Sequence, residues 1–307
     1  MTIEIERKPL YTPLPQNTPR NLVHAEVIAS FPVNTFLENL AIDHVNNIYI
    51  TDTKGFIYKV DPSGDIETFA HVNGEALGIC FGPQGEILVS GCDDNNIATI
   101  FHINTEGIVN ETFKLQEASY FLNGMIAHRY KEHHYLVADS IKGCIWQYDY
   151  KNKSAELWLK SQLLKSPIKE GSLIVGANGL KFHERQLYIT NTQGHCIIKV
   201  EIELNGQAGE ASVYVDGILG DDLDIDSSGN LYVCTHIFNS IVRVSRDRRF
   251  SIIAEDLEGV TGCTAALFGE KEKKNTLYVV TNGGMVSPPV GGIREAKLVA
   301  LDLNQFI

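Results

Sequence analysis

A unit of about forty residues recurs along this chain, and no other feature narrows the possible folds as far. One copy reads Leu40-Ala-Ile-Asp-His-Val-Asn-Asn-Ile-Tyr-Ile-Thr-Asp52, then Ile57-Tyr-Lys-Val-Asp61 and Ile66-Glu-Thr-Phe69. Another reads Leu223-Asp-Ile-Asp-Ser-Ser-Gly-Asn-Leu-Tyr-Val-Cys-Thr235, then Ile241-Val-Arg-Val244 and Ser251-Ile-Ile253. Each holds four short alternating or β-branched runs separated by Gly, Asn, Asp or Pro, the pattern of a four-stranded meander. First strands are expected to begin at 38, 77, 123, 178, 221 and about 262, giving spacings of 39, 46, 55, 43 and about 41 residues. Six such units predict an all-β, six-bladed β-propeller with four-stranded antiparallel blades, a ring that disposes of exposed inner edges. The last unit runs out at its third strand, Lys297 to Leu303, so Ala25 to Phe31 is expected to supply the fourth and close the ring.

The domain reading is an extended arm over 1–20, with Pro9, Pro13, Pro15 and Pro19, followed by one propeller over 21–307. The longest insertion, Trp158 to Gly176, contains Leu163-Leu and Leu173-Ile-Val, too apolar for a solvated loop; it is read as a lid or as structural cover.

The chain has 307 residues, 44% of them hydrophobic and 21% charged, enough apolar material for a large core. The net charge of −12, with no Lys/Arg stripe, argues against nucleic acid as a partner. Apolar runs are too short to span a bilayer, and the N-terminus lacks a basic-then-apolar leader pattern. Six singly spaced cysteines, mostly inside strand-like runs, read as buried, reduced core residues. The expectation is a cytoplasmic monomer acting on a small molecule.

In a meander, the start of the first strand and the end of the second lie at the same end of the ring, beside the channel. The strand-start positions give Glu38, Leu77, Asn123, Asn178 and Asp221. Two carboxylates and two amides in register offer oxygen only, which suits a hard divalent cation: Ca2+ first, Mg2+ or Mn2+ next, with Zn2+ a poorer match. The second-strand ends add Asp52, Ser90, Asp139, Asn191, His236 and Asn282, read either as groups that orient the ion ligands or as turn caps. His236 is the titratable group at the expected pocket mouth. Asp43 and Asp226 read as turn residues, and His133 and His134 as solvated.

The Glu38, Asn123, Asn178, Asp221 series resembles that of the gluconolactonase/regucalcin-like propellers, relatives of the paraoxonases and strictosidine synthases. The segment Val260-Thr-Gly-Cys-Thr-Ala-Ala-Leu-Phe-Gly269 with Asn275-Thr-Leu-Tyr-Val-Val-Thr281 is similar to that family's last blade. The resemblance implies an ion held by Glu38, Asn123, Asn178 and Asp221, with Asp221 as general base in opening a lactone or ester. Asp222 is an adjacent carboxylate that could substitute or contact substrate. Two positions depart from the family pattern. Glu38-Asn-Leu stands where its sugar lactonases carry Glu-Gly-Pro, and Tyr120-Phe121 stands where they carry a sugar-binding arginine. Tyr120, Phe121, His236 and Asp222 are therefore the expected substrate contacts, for a substrate less polar than a sugar lactone. The alternatives are a strictosidine-synthase-like enzyme doing cyclisation, isomerisation or condensation, and a metal-binding propeller without turnover.

Overall fold

The computed structural model describes residues 14–167, 175–304 and 306. Its strands form six separate four-stranded sheets, five of them built from consecutive strands. The innermost strands are Leu37–Ile42, Gly74–Phe81, Leu122–Ala127, Ala177–His183, Leu223–Ile225 and Cys263–Phe268, and they define blades 1 to 6 in that order. In the sixth sheet Glu26–Val33 pairs antiparallel with Glu295–Asp302, so the N-terminal strand does complete the last blade. Upstream of it the chain runs along the outer strand of blade 5: Arg20 bridges Ile252 in parallel, and Asn21 N donates to Ile252 O at 2.8 Å.

Stacked sheets bury both faces, which explains why so many strands read apolar on successive residues. The core is accordingly divided into six clusters, each straddling one junction between neighbouring blades. Between blades 1 and 2, for example, Ile57, Val72, Ile79, Val89 and Phe101 interlock. Full burial of each such side chain contributes about 1.5–3 kcal/mol. The short turns between strands are set by aspartates, as the sequence suggested: Asp43 accepts from Val45 N and Asn47 N, and Asp226 from Ser228 N and Asn230 N, all at 2.9 Å.

Strand limits differ from the sequence reading where local pairing is irregular. Blade 2 begins at Gly74 rather than near Leu77, which carries Glu75 into the inner strand. Blade 5 begins at Leu223, leaving Asp221 and Asp222 just ahead of it, although Asp221 N still donates to Cys234 O at 2.8 Å. Trp158 belongs to the outer strand Ser154–Lys160, so the long connection starts only at 161. Its described beginning is anchored: Leu164 is fully buried, and Asn191 Nδ2 donates to Leu163 O at 2.8 Å and to Lys165 O at 2.9 Å. Leu173 and Ile174, and the question of a lid, lie outside the described residues.

Candidate functional site

Five of the inner strands break register at the same height. The irregularity falls between Leu37 and Asn39, Ala76 and Ile79, Leu122 and Met125, Ala177 and Leu180, and Cys263 and Ala265. A bulge leaves its residues out of the ladder and re-aims their side chains. The residues so released are Glu38, Leu77-Gly78, Asn123-Gly124, Asn178-Gly179 and Thr264. Ahead of the break, Leu37, Leu122, Ala177 and Cys263 are wholly buried, so each pins its strand while the next residue turns toward the channel.

Hydroxyl groups lock this height at five of the six blade junctions. Thr51 Oγ1 donates to Leu77 O, Ser90 Oγ to Asn123 O, Ser140 Oγ to Ala177 O and Thr190 Oγ1 to Asp221 O, each at 2.6 Å. Thr264 Oγ1 adds the contact from blade 6 to blade 1, onto Leu37 O at 2.8 Å, whereas Thr235 Oγ1 of blade 5 bonds Ser240 within its own blade. Each contact satisfies a buried carbonyl and is worth about 0.5–1.5 kcal/mol. The candidate ligands thus sit on backbone fixed from two sides.

Glu38, Asn123, Asn178 and Asp221 are all buried, and the structure brings them together at one end of the channel. Asn123 hydrogen-bonds the Glu38 carboxylate. Asn178 Nδ2 donates to Asp221 Oδ1 at 2.5 Å and to Thr192 Oγ1 at 3.0 Å, while Thr192 Oγ1 donates to Gly220 O at 2.9 Å. Among the described residues nothing donates to the Asn178 carbonyl oxygen, which leaves it free for a ligand. Burial, and then the neighbouring Asp221, Asp222 and Glu75 carboxylates, hold the Glu38 carboxyl well above the usual carboxylate range.

The second-strand ends divide. Asp139 is spent on structure, accepting from Ser119 N at 2.8 Å and Trp146 Nε1 at 3.1 Å. Asp52 caps its own turn through Lys54 N at 3.0 Å, and Asn191 holds the long connection. His236 belongs to the site. Its Nδ1 lies 2.9 Å from Asp221 Oδ2, and Asn282 Nδ2 lies 2.7 Å from its Nε2. Asn282 Oδ1 already accepts from Gly284 N at 2.9 Å and Met285 N at 3.1 Å, so the amide nitrogen must face the ring. Nε2 is therefore the acceptor, and the proton sits on Nδ1, aimed at Asp221. His236 occupies a left-handed backbone position, φ 42°, that a non-glycine residue takes only under local constraint.

Aromatic side chains edge the mouth. Phe36 meets His236 edge-on, with ring centroids 5.6 Å apart; Tyr120 is exposed and Phe121 half-buried immediately before the blade 3 strand. Phe36 and Glu75 were not picked out in the sequence. Phe36 precedes its strand and reads as a linker residue, and Glu75 is brought in only by the early start of blade 2. His133 and His134 stand at the opposite end, half-buried rather than solvated, with His134 Nε2 3.5 Å from Asp149 Oδ2.

Asp222 behaves differently from Asp221. Blades 2, 3 and 4 carry Gly78, Gly124 and Gly179 after the ring position, whereas blade 5 carries this carboxylate. It folds over Gly179, where a Cβ would lie 2.1 Å from Asp222 Oδ1. Burial raises its pKa to about 7 despite the opposing field of Lys181. Among the described residues no group of three or more His, Cys, Asp or Glu side chains is placed to hold a metal; the candidate set instead mixes carboxylates with amide oxygens.

The fold defines a class: this is a six-bladed propeller, and its architecture resembles that of gluconolactonase and regucalcin structures. Regucalcin of Agrobacterium tumefaciens, a calcium-binding protein, matches 93% of this chain and 95% of its own at 13% identity, TM-score 0.67. A gluconolactonase of Xanthomonas campestris matches 94% and 99% at 13% identity, TM-score 0.67. A virginiamycin B lyase of Staphylococcus aureus, solved with quinupristin as a catalytically inactive histidine-to-alanine variant, matches 86% and 80% at 13% identity, TM-score 0.59. Enzymes named as lactonase and as lyase thus share this fold. No protein-family model and no curated protein matches the chain. Among the described residues no helix is long and apolar enough to cross a membrane.

Proposed function

We propose that this protein is a divalent-cation-dependent hydrolase that opens a lactone or related ester less polar than a sugar lactone. The observation that carries the reading is the charge balance at the bulge ring. The buried Glu38 and Asp221 carboxylates stand there together, the fields of Asp222 and of the exposed Glu75 also reach Glu38, and among the influences on Glu38 only the Asn123 hydrogen bond favours its charged form. Uncompensated buried carboxylates are costly, and a bound cation removes that cost. Glu38, Asn123, Asn178 and Asp221 fit a hard ion: both amides give N–H to a carboxylate, and each keeps a carbonyl oxygen as donor. Ca2+ is the first choice, with Mg2+ or Mn2+ next.

Such an ion, when bound, polarises a carbonyl and acidifies water. The chain's own part is orientation and proton transfer. Asp221, held by Asn178 on Oδ1 and His236 on Oδ2, keeps a lone pair on each oxygen and takes the proton from the attacking water. His236 cannot compete for that proton through Nε2, which Asn282 occupies, and so acts as a positioning residue. Phe36, Tyr120 and Phe121 favour an apolar or aromatic substituent at the mouth. Six free cysteines, five of them buried, support a reducing, cytoplasmic setting, and a ring that closes on its own N-terminal strand supports a monomer.

A second reading rests on the His236–Asp221 pair itself. A positioned imidazole–carboxylate couple can move a proton without hydrolysis, so rearrangement or elimination of the same substrate class is the competing outcome. The test is metal analysis with thermal melting before and after chelation, then a lactone and aryl-ester screen with product identification. A stoichiometric divalent ion whose removal lowers the melting temperature by several degrees, together with a ring-opened acid as product, supports the hydrolase. An ion-dependent shift without turnover leaves a calcium-binding protein; turnover without an ion, to a dehydrated or rearranged product, supports the second reading.

A further inference from the structure

Below the bulge ring the same inner strands enclose a cavity of about 290 Å³ that belongs to the opposite end of the channel. Its walls are more apolar than polar, with Leu40, Ile79, Met125 and Leu180 among the lining residues of four different blades, and it is larger than the roughly 150 Å³ that admits a benzene ring. Two charged side chains line it, Asp222 and Lys181. Lys181 is already engaged, its Nζ 3.4 Å from Asp224 Oδ1. Among the described residues no side chain donates to Asp222, which takes a backbone hydrogen bond from Leu223, stays partly accessible and lines this cavity. At the positions equivalent to Asp222, blades 2, 3 and 4 have glycine, so the charge is specific to this point of the ring.

We propose that this cavity is a second ligand site, for a small organic cation, with an ammonium group against Asp222 and an apolar or aromatic body among Leu40, Ile79, Met125 and Leu180. The pairing follows from the environment. A carboxylate desolvated by its own fold gains most from a charged donor that brings an apolar body to fill the walls, and a hydrated metal ion leaves those walls unused. The ligand approaches from the face opposite the bulge ring, so an ion there does not occupy its place, although Asp222 also acts on Glu38 through its field.

The test uses benzylammonium and its neutral counterpart benzyl alcohol, titrated calorimetrically into the full chain at mildly alkaline pH, with and without excess calcium. Benzylammonium is expected to bind about tenfold more tightly than the alcohol, with or without calcium. Asp222→Asn is expected to bring it down to the alcohol's affinity. Ala127→Trp, at an exposed position on the cavity rim, is expected to abolish binding of both probes and keeps the test decisive if Asp222→Asn does not fold. Equal affinity for the two probes, binding unaffected by Ala127→Trp, or displacement of the ammonium by calcium would each overturn the proposal; the last would place the cation at the bulge ring instead.

Discussion

The two ends of the channel are made by the same strands a few residues apart, yet they differ in almost every chemical respect. At the upper end Glu38, Asn123, Asn178 and Asp221 stand at positions where pairing is broken or has not begun. At the lower end the strands are back in register, Leu40, Ile79, Met125 and Leu180 line a common cavity, and tight Asp-initiated turns finish the hairpins. A regular ladder must bury what it carries, so it selects apolar residues; a bulge can present a polar side chain at little cost to pairing because its backbone is already diverted. The hydroxyl contacts then supply the rigidity that the broken ladder loses.

If this division is right, substitutions at the upper end should change chemistry while the fold survives, and those at the lower end should do the reverse. The largest effect is expected for Asp221→Asn, which should lower kcat by about 10²–10⁴-fold with far-UV circular dichroism unchanged. Near-normal turnover in that variant would remove Asp221 as proton acceptor. Asn282→Ala should cost about 10–100-fold in activity, because the histidine then loses the partner that fixes its tautomer. Nitrogen-15 NMR should show a protonated Nδ1 in the parent and a mixture of tautomers in the variant; one unchanged tautomer would mean that Asp221 alone sets it.

Leu180→Ala tests the other end. It should lower unfolding stability by about 2–5 kcal/mol in urea titrations and leave KM unchanged. A large KM effect would mean that the two ends share one substrate. The smallest expected effect is on the pH dependence of the ion-free protein. Asp222 titrates in the folded chain at about 7, above its ordinary value of 3.8, so the folded state binds that proton more tightly. The resulting stability is full below the ordinary carboxylate pKa and is lost as pH rises toward 7. The melting temperature should decline across that interval, and Asp222→Asn should flatten the decline; an unchanged slope would point to Glu38 as the dominant group.

Much of this was legible from the chain alone. Six-fold repetition, alternation and Asp/Asn turns determined blade number, the order of strands and the closing role of the segment before Val33, because hydrophobic periodicity and turn chemistry are local properties. That Glu38, Asn123, Asn178 and Asp221 stand near one another was legible for the same reason: equivalent positions in repeated units face the same way. What only the tertiary structure decided depends on distance between blades. His236 meets Asp221, and Asn282 meets His236, across sequence separations that no local pattern encodes. Glu75 comes near enough to act on Glu38 because blade 2 starts early, and Asp222 parts from neighbouring Asp221 to line the lower cavity because Gly179 of the preceding blade leaves room for a carboxylate. Repetition fixes where a side chain stands on its own blade; what it meets is fixed by the packing of the blade beside it.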